Sequence, residues 1–454
     1  MKYVIIGGDA AGMSAASAIK KKQPESKVIV MEKGTDVSYG ACGMPYKLAD
    51  TQSSMDELVV VSANTFINKR KIDLRLNNEV IDVDLKGKKV VCKGKGRGKY
   101  TESFDKLLIA TGASPRRLTV NGAELDGVYY LGNMEDGRAL SAQMDKLKGG
   151  IVTVVGSSLL GLEIMEALAA RGFKVNVIER LQSPLPFLPE SFGSRIMDKL
   201  SSKNVNTYFG AQLQEIRKTD NNLVVSLKQN QSKQVNLKSD FVVIVAGVEP
   251  ASKIFLEAGL EAGPAGTIAV DEYLGTSNVD IFAAGDCADA IHGVSGKKVF
   301  HPLALRANRA GKFAAYNMMG NKKKVAPIMG TAGAKFFDLA LAWTGLSRKS
   351  AEEAGFDPVI QEIETSSQAH YMRGAGKINY FLVADSKSKK VLGGGILGPY
   401  GTTARQVDTL AAALYHQATL EQCYEYDLLY SPPFGPVWNA LHISSAILLK
   451  KIKI

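Results

Sequence analysis

Residues 2–32, KYVIIGGDAAGMSAASAIKKKQPESKVIVME, and residues 150–179, GIVTVVGSSLLGLEIMEALAARGFKVNVIE, follow one pattern. Each opens on an apolar β-rich run, turns at glycine, passes through an alanine-rich helical stretch, resumes a β run and ends on glutamate. The two copies, Gly7 to Gly156, start 149 residues apart. A strand, a glycine turn and a helix bring unpaired helix amides to a point where a pyrophosphate can sit, and glycine lets the backbone approach it. An acid about 20 residues further on ends the second strand and accepts hydrogen bonds from a ribose. Gly12 to Glu32 spans 20 residues and Gly161 to Glu179 spans 18. One such fingerprint is weak. Two in one chain, each with strand, helix and acid, predict two dinucleotide-binding βαβ units. Both lack the middle glycine of G-x-G-x-x-G and carry Asp9 and Ser158 there. Glu179 repels a 2′-phosphate, which favours NADH, while Arg180 beside it keeps NADPH open as the alternative.

Outside the repeats the texture changes. EVIDVDL, KKVVCKG and DKLLIATG, within residues 79–112, read as a β-meander inserted into the first unit. DFVVIVAGVEP (240–250) and VDIFAAGD (279–286) read as buried strands. From about residue 326, FFDLALAWTGLS, KINYFLVAD and KVLGGGILG look like antiparallel strands, followed by the helical QVDTLAAALYH. With 45% apolar and 22% charged residues over 454 positions, the chain is neither disordered nor a disulfide-stapled miniprotein. Its length suits three domains.

Four cysteines match no metal-ligand spacing, so no metal is expected, and their scarcity suggests a reducing, cytoplasmic setting. The N-terminus enters a strand at once without signal-peptide architecture. No apolar run approaches the roughly 18 residues of a membrane helix, so no membrane partner is expected. The net charge of +11 is the one unusual number. It is compatible with a nucleic-acid partner, a phosphate-rich ligand or a solvated surface.

GGDAAG, LLIATGASP (107–115), VVGSSLLGLE (154–163) and TSNVDIFAAGDCA (276–288) together resemble the pyridine-nucleotide disulfide oxidoreductases over the whole chain. The resemblance implies an α/β protein with two Rossmann-like domains, for FAD and NAD, and a C-terminal α+β dimerisation domain. The expected limits are 1–116 and 246–325 for the two parts of the FAD domain, 117–245 for the NAD(P)H domain and 326–454 for the dimerisation domain. FAD contacts are implied for Gly7, Ala10, Ala11, Gly12, Glu32, Lys33, Val80, the crossing Ala110, Thr111 and Gly112, then Pro302, Leu303 and Ala304. Asp286 would hydrogen-bond the ribityl chain, and Tyr430 and Phe434 would approach the flavin from the C-terminal segment. NAD contacts are implied for Gly156, Ser158, Leu159, Leu160, Gly161, Glu163, Glu179, Arg180, Ala246 and Gly247.

SYGACGMPY (38–46) sets the branch, because it carries one cysteine, Cys42, where dithiol members carry two. Single-cysteine members include coenzyme A disulfide and persulfide reductases, NADH oxidases and NADH peroxidases. The resemblance is nearest to the coenzyme A enzymes, in a form without the rhodanese domain that some of them carry. Peroxidases and oxidases place an acid-base histidine where this chain has Ala10. Lys20–Lys22 and Lys69–Lys71 lie where the relatives bind the coenzyme A phosphates. YSPPFGPVW (430–438) matches a loop whose tyrosine reaches the other subunit's active site. The implied coenzyme A contacts are Ser14, Lys21, Lys22, Ser38, Ala41, Cys42, Arg70, Asn308, Tyr371 and Trp438.

The expected activity is FAD-dependent, NAD(P)H-driven reduction of coenzyme A disulfide or persulfide, or of other small disulfides or polysulfides. It would run in a homodimer whose active site the partner completes. Cys42 would be the nucleophile, with its thiolate favoured by a helix N-terminus and the flavin. Tyr371 and Tyr430 would hydrogen-bond or protonate the leaving thiolate. Cys92, Cys287 and Cys423 are expected to be structural. The alternatives are an NADH oxidase or peroxidase and, more remotely, a basic flavoprotein that binds nucleic acid. No nucleic-acid partner is expected, since the basic residues are not interleaved with stacking aromatics. The runs at 93–99, Lys322–Lys324 and Lys450–Lys453 are expected to be solvated.

Overall fold

The computed structural model describes residues 1–230, 232–401 and 403–452. Lys453, in the last basic run, lies outside the described residues. Three sheets organise the chain, and the first two are built alike.

In the first, the strands Ile281–Ala283, Lys106–Ile109, Lys2–Ile6, Lys27–Met31 and Asp73–Arg75 run side by side in that order, all parallel. Val4 pairs with both Ile29 and Leu107. The four strands other than the polar edge strand Asp73–Arg75 are buried on both faces, as continuous apolar runs such as YVII and VIVM require. The helix Ala10–Lys22 follows the first strand and packs on the helix Ala304–Met318, with Gly311 seated against the Ala11 backbone.

In the second sheet the parallel order is Asn206–Phe209, Phe173–Glu179, Gly150–Val155, Phe241–Ile244 and Val128–Tyr130. Gly150–Val155 is central, as Lys2–Ile6 is in the first sheet, and the helix Leu159–Ala170 follows it. Both predicted βαβ units are therefore present. Two short strands, Ala113–Pro115 and Val248–Pro250, pair antiparallel where the chain leaves the first unit and returns to it.

Each parallel sheet carries an antiparallel meander. The first comprises Asn78–Asp84, Lys89–Gly94 and Gly98–Ser103. This corrects one expectation. The third strand of the meander is the polar GKYTES, whereas KLLI of DKLLIATG returns to the parallel core, where a fully apolar strand belongs. The second meander, Ala211–Lys218, Leu223–Gln229 and Lys233–Ser239, was not expected, although its strands alternate buried and exposed residues. DFVVIVAGVEP is split into Phe241–Ile244 and Val248–Pro250.

The third sheet is wholly antiparallel, in the order Ala332–Phe336, Leu339–Gly345, Val391–Pro399, Lys377–Asp385 and Pro358–Ser366. The helices Val407–Tyr415 and Ala440–Ile452 cover it, through Leu410, Leu414 and Leu448. The strands and helix expected after residue 326 are all present. Among the described residues, no helix is long and apolar enough to cross a membrane.

Candidate active site

The first glycine turn is tight for a steric reason. Gly7 has φ +104°, and a Cβ there would lie 2.2 Å from the Ala110 carbonyl oxygen. A Cβ on Gly12 would lie 1.9 Å from the Gly7 carbonyl oxygen. Only glycine lets strand, helix and the Ala110–Gly112 crossing meet so closely. Ala10 and Ala11 begin the helix. The Gly8 and Gly34 amides donate to opposite oxygens of Glu32, each at 2.7 Å. Lys33 beside it is exposed, Val80 is buried, and the Thr111 hydroxyl donates to the Ala251 carbonyl at 2.6 Å.

The second turn repeats the device. The Ser157 amide and hydroxyl both donate to Glu179 Oε2 at 2.9 Å, and the Leu181 amide donates to Oε1 at 2.8 Å. A Cβ on Gly156 would lie 2.6 Å from the Val245 carbonyl oxygen, beside Ala246 and Gly247. Ser158, in place of the middle glycine, caps the helix that Leu159, Leu160 and Gly161 begin. Arg180 is exposed beside the half-buried Glu179.

Asp286 follows the strand Ile281–Ala283, and its Oδ1 is buried without a hydrogen-bond partner. Burial pushes this carboxyl up, against the opposing pull of the Arg306 charge and a hydrogen bond from the Leu303 backbone. Pro302 and Leu303 lead into the helix that starts at Ala304. Arg306 is buried and donates to the Gly285 and Ala288 carbonyls at 3.1 and 3.0 Å. A buried acceptor with no partner is costly unless a ligand satisfies it. The glycine turn, Glu32 and the free Asp286 oxygen fit the pyrophosphate, ribose and polyhydroxyl chain of FAD.

Cys42 sits in the short turn Ala41–Gly43 before the helix Met44–Ala49. The Ser38 amide donates to the Gly8 carbonyl at 3.0 Å, and the Gly40 amide to the Leu58 carbonyl at 2.8 Å, so this loop lies over the first glycine turn. Cys42 is the exposed thiol of the four, while Cys92, Cys287 and Cys423 are buried. The expected lowering of its pKa is not what the chain's side chains produce. Crowding still desolvates the sulfur and pushes the thiol up, and Glu163, Asp286 and Asp9 add to this in that order. The helix that follows is only six residues long, and the opposing influence is a hydrogen bond from the local backbone. Asp9 is itself pushed up to about 6, chiefly by burial.

The residues expected at coenzyme A fall into separate groups. Ser14 and Asn308 hydrogen-bond each other, and Arg70 Nη1 donates to Ser17 Oγ at 2.6 Å while lying over the Phe66 ring. Ser17 is one turn from Ser14 on the same helix, so these four share one face. Lys21 and Lys22, at the helix end, are exposed. Lys20 instead bonds the Pro24 and Ser26 carbonyls and closes the helix end.

Tyr371 and Tyr430 face each other, and Tyr430 is the main cause of the raised Tyr371 pKa. With Phe434 and Trp438 they are exposed, and the Ala369 amide ties this patch together by donating to the Pro432 carbonyl at 2.9 Å. Among the described residues, no hydrogen bond joins either tyrosine to the Cys42 loop within the chain.

Two groups were not anticipated as neighbours of Cys42. In the sequence Asp9 stands only where the middle glycine of the fingerprint would be. Tyr46, four residues after the cysteine, donates from its hydroxyl to Glu163 Oε1 at 2.7 Å and so links the Cys42 helix to the second βαβ helix.

Residues 1–311 match the family model for pyridine nucleotide-disulphide oxidoreductases, and residues 331–441 match that family's dimerisation domain. The NAD(P)H coenzyme A polysulfide/persulfide reductase of Pyrococcus horikoshii is 34% identical over 451 residues, 98% of each chain. An NADH oxidase of Methanocaldococcus jannaschii is 29% identical over 456 residues, covering 100% of this chain and 99% of the relative. The solved NAD-dependent persulfide reductase from A. fulgidus superimposes with a TM-score of 0.93 at 30% identity, over 100% of this chain and 84% of the other. Family membership rests on more than half of the chain, and the enzymes of the family use FAD and NAD(P)H. The chain therefore belongs to the pyridine nucleotide-disulphide oxidoreductase family and is an oxidoreductase of that kind.

Proposed function

We propose that the protein reduces coenzyme A disulfide or coenzyme A persulfide with NAD(P)H, through Cys42. The observation that carries this reading is the position of the one exposed thiol. It is faced by Asp9 from the first dinucleotide turn and by Glu163 from the helix after the second. Bound FAD supplies the relay of an electron pair between nicotinamide and sulfur. The chain's residues do the rest. The Gly7–Gly12 turn, Glu32 and Asp286 hold the cofactor, and the Gly156–Gly161 turn and Glu179 hold the nicotinamide dinucleotide. The carboxylate of Glu179 favours NADH over NADPH.

Cys42 acts as a thiolate on either sulfur of the disulfide, which leaves coenzyme A on Cys42, or on the outer sulfur of the persulfide, which leaves a Cys42 persulfide. A Cys42–sulfur bond forms, the substrate S–S bond breaks, and one thiolate leaves and takes up a proton. Ser14, Ser17, Asn308 and Arg70 offer hydroxyl, amide and guanidinium groups to the phosphates and pantetheine of the carrier, with Lys21 and Lys22 adding charge. Arg70 is suited to this by its planar set of donors. The protein is a homodimer in this reading. Tyr430 and Tyr371 of the second protomer approach Cys42 and donate to the leaving thiolate, which gives the exposed aromatic patch of Tyr371, Tyr430, Phe434 and Trp438 a role. The reaction belongs to the cytoplasm, where NAD(P)H and reduced thiols are kept.

Similarity to the Pyrococcus enzyme supports a coenzyme A carrier, and similarity to the Methanocaldococcus oxidase supports oxygen as the alternative acceptor. Ala10, at the position of the peroxidases' histidine, favours the sulfur substrate. The test is Cys42→Ser. It abolishes NADH-dependent reduction of coenzyme A disulfide and leaves FAD bound. Full activity in that variant would overturn the proposal.

A further inference from the structure

The helix Met44–Ala49 packs on the helix Leu159–Ala170, and Met44, Leu48, Leu162 and Met165 are buried in the same apolar cluster. At the edge of this contact the Tyr46 hydroxyl donates to Glu163 Oε1 at 2.7 Å and lies beside the Lys335 backbone. Lys335 in turn forms an ion pair with Glu166, one turn along from Glu163. Three parts of the chain therefore meet at Tyr46: the cysteine helix, the helix after the second glycine turn and the first strand of the C-terminal sheet.

We infer that Tyr46 is a positioning residue for Cys42: its hydroxyl holds the Glu163 carboxyl facing the thiol, so that ionisation of Glu163 and of Cys42 oppose each other. This rests on Cys42 being the reacting thiol and adds what sets its charge. Glu163 is pushed up to about 7, first by burial and then by the Glu166 charge, while the Tyr46 hydrogen bond favours its carboxylate. Near neutral pH Glu163 is thus close to half ionised. The charged groups facing Cys42 are Glu163, Asp286 and Asp9, and those facing Glu163 are Tyr46 and Glu166, the latter paired with Lys335. Glu163 is the largest charge acting on Cys42, and linkage is reciprocal. A proton on Glu163 eases the ionisation of Cys42, and a Cys42 thiolate favours the proton on Glu163.

The test reads thiol ionisation without turnover. The FAD-loaded enzyme is reduced, freed of reductant and alkylated with iodoacetamide across a pH series, and Cys42 modification is followed by peptide mass. Glu163→Gln removes the opposing charge, lowers the midpoint and speeds alkylation at neutral pH several-fold. Tyr46→Phe removes the bond that favours the carboxylate, leaves Glu163 more often protonated and lowers the midpoint less. Adding Tyr46→Phe to Glu163→Gln produces no further shift, because Tyr46 acts through Glu163. Asp9→Asn also lowers the midpoint, but additively with Glu163→Gln. An unmoved midpoint in Glu163→Gln, a rise in Tyr46→Phe, or additive effects of those two would overturn the inference. Turnover that survives Cys42→Ser would overturn the proposed reaction and leave this linkage standing on its own measurement.

Discussion

The Ser14 hydroxyl donates to Asn308 Oδ1 at 2.8 Å and joins two helices whose residues are 294 positions apart in the chain. Ser17, one turn further on, accepts from Arg70 at 2.6 Å. Arg70→Ala removes a charge-assisted donor from this face. Such bonds contribute roughly 1.5–3 kcal/mol, so KM for coenzyme A disulfide rises about tenfold or more. The value of kcat and the KM for NADH stay near the parent values. Steady-state kinetics with the two substrates varied separately check this, and an unchanged KM for the disulfide places the carrier elsewhere.

Asp286 holds a buried oxygen that the protein does not satisfy. With a cofactor hydroxyl as the partner of that oxygen, Asp286→Ala loses affinity for FAD, and some stability goes with it because the Leu303 backbone bond and one charge opposing Arg306 are also lost. The variant purifies with less flavin, and added FAD raises its melting temperature less than it does for the parent. Equal flavin content and equal FAD stabilisation would remove Asp286 from the site.

The Asp9 carboxyl is raised from 3.8 to about 6, chiefly by burial. The sign of its effect on stability follows. Below about pH 4 the folded and unfolded chains both hold the proton. As pH rises towards 6 the unfolded chain releases it first, so stability from this group is lost over that window. Asp9→Asn removes the loss. Denaturant unfolding of the flavin-free protein at pH 4, 5, 6 and 7 reads the difference. The variant gains on the parent as pH rises, and a constant gap between the two would show that burial of Asp9 does not matter.

Both βαβ units were legible because their signal is local: an apolar run, a glycine turn, a helix and an acid at the right distance. Glu32 and Glu179 then occupy the same place in each unit, bonded to the turn's own amides. The meander at 211–239 was harder to see, because its half-buried strands alternate polar and apolar residues without glycine punctuation. DKLLIATG was misjudged for a related reason, since an apolar run of four does not reveal which sheet it joins. The protonation setting of Cys42 was not legible at all. Its turn promised a helix N-terminus, but Asp9, Glu163 and Asp286, which oppose ionisation, come from three distant parts of the chain. Lys20 shows the same limit. A lysine triplet reads as a charge patch, yet one member is spent on closing its own helix.

The central claim is that Cys42 takes a coenzyme A sulfur. The measurement that tests it most directly is the intact mass of the reduced, reductant-free enzyme after mixing with coenzyme A disulfide in the absence of NADH. The account predicts one coenzyme A adduct per chain, mapped to Cys42, absent from Cys42→Ser and released as the free thiol on adding NADH. An unmodified chain, or an adduct that persists in Cys42→Ser, would contradict it.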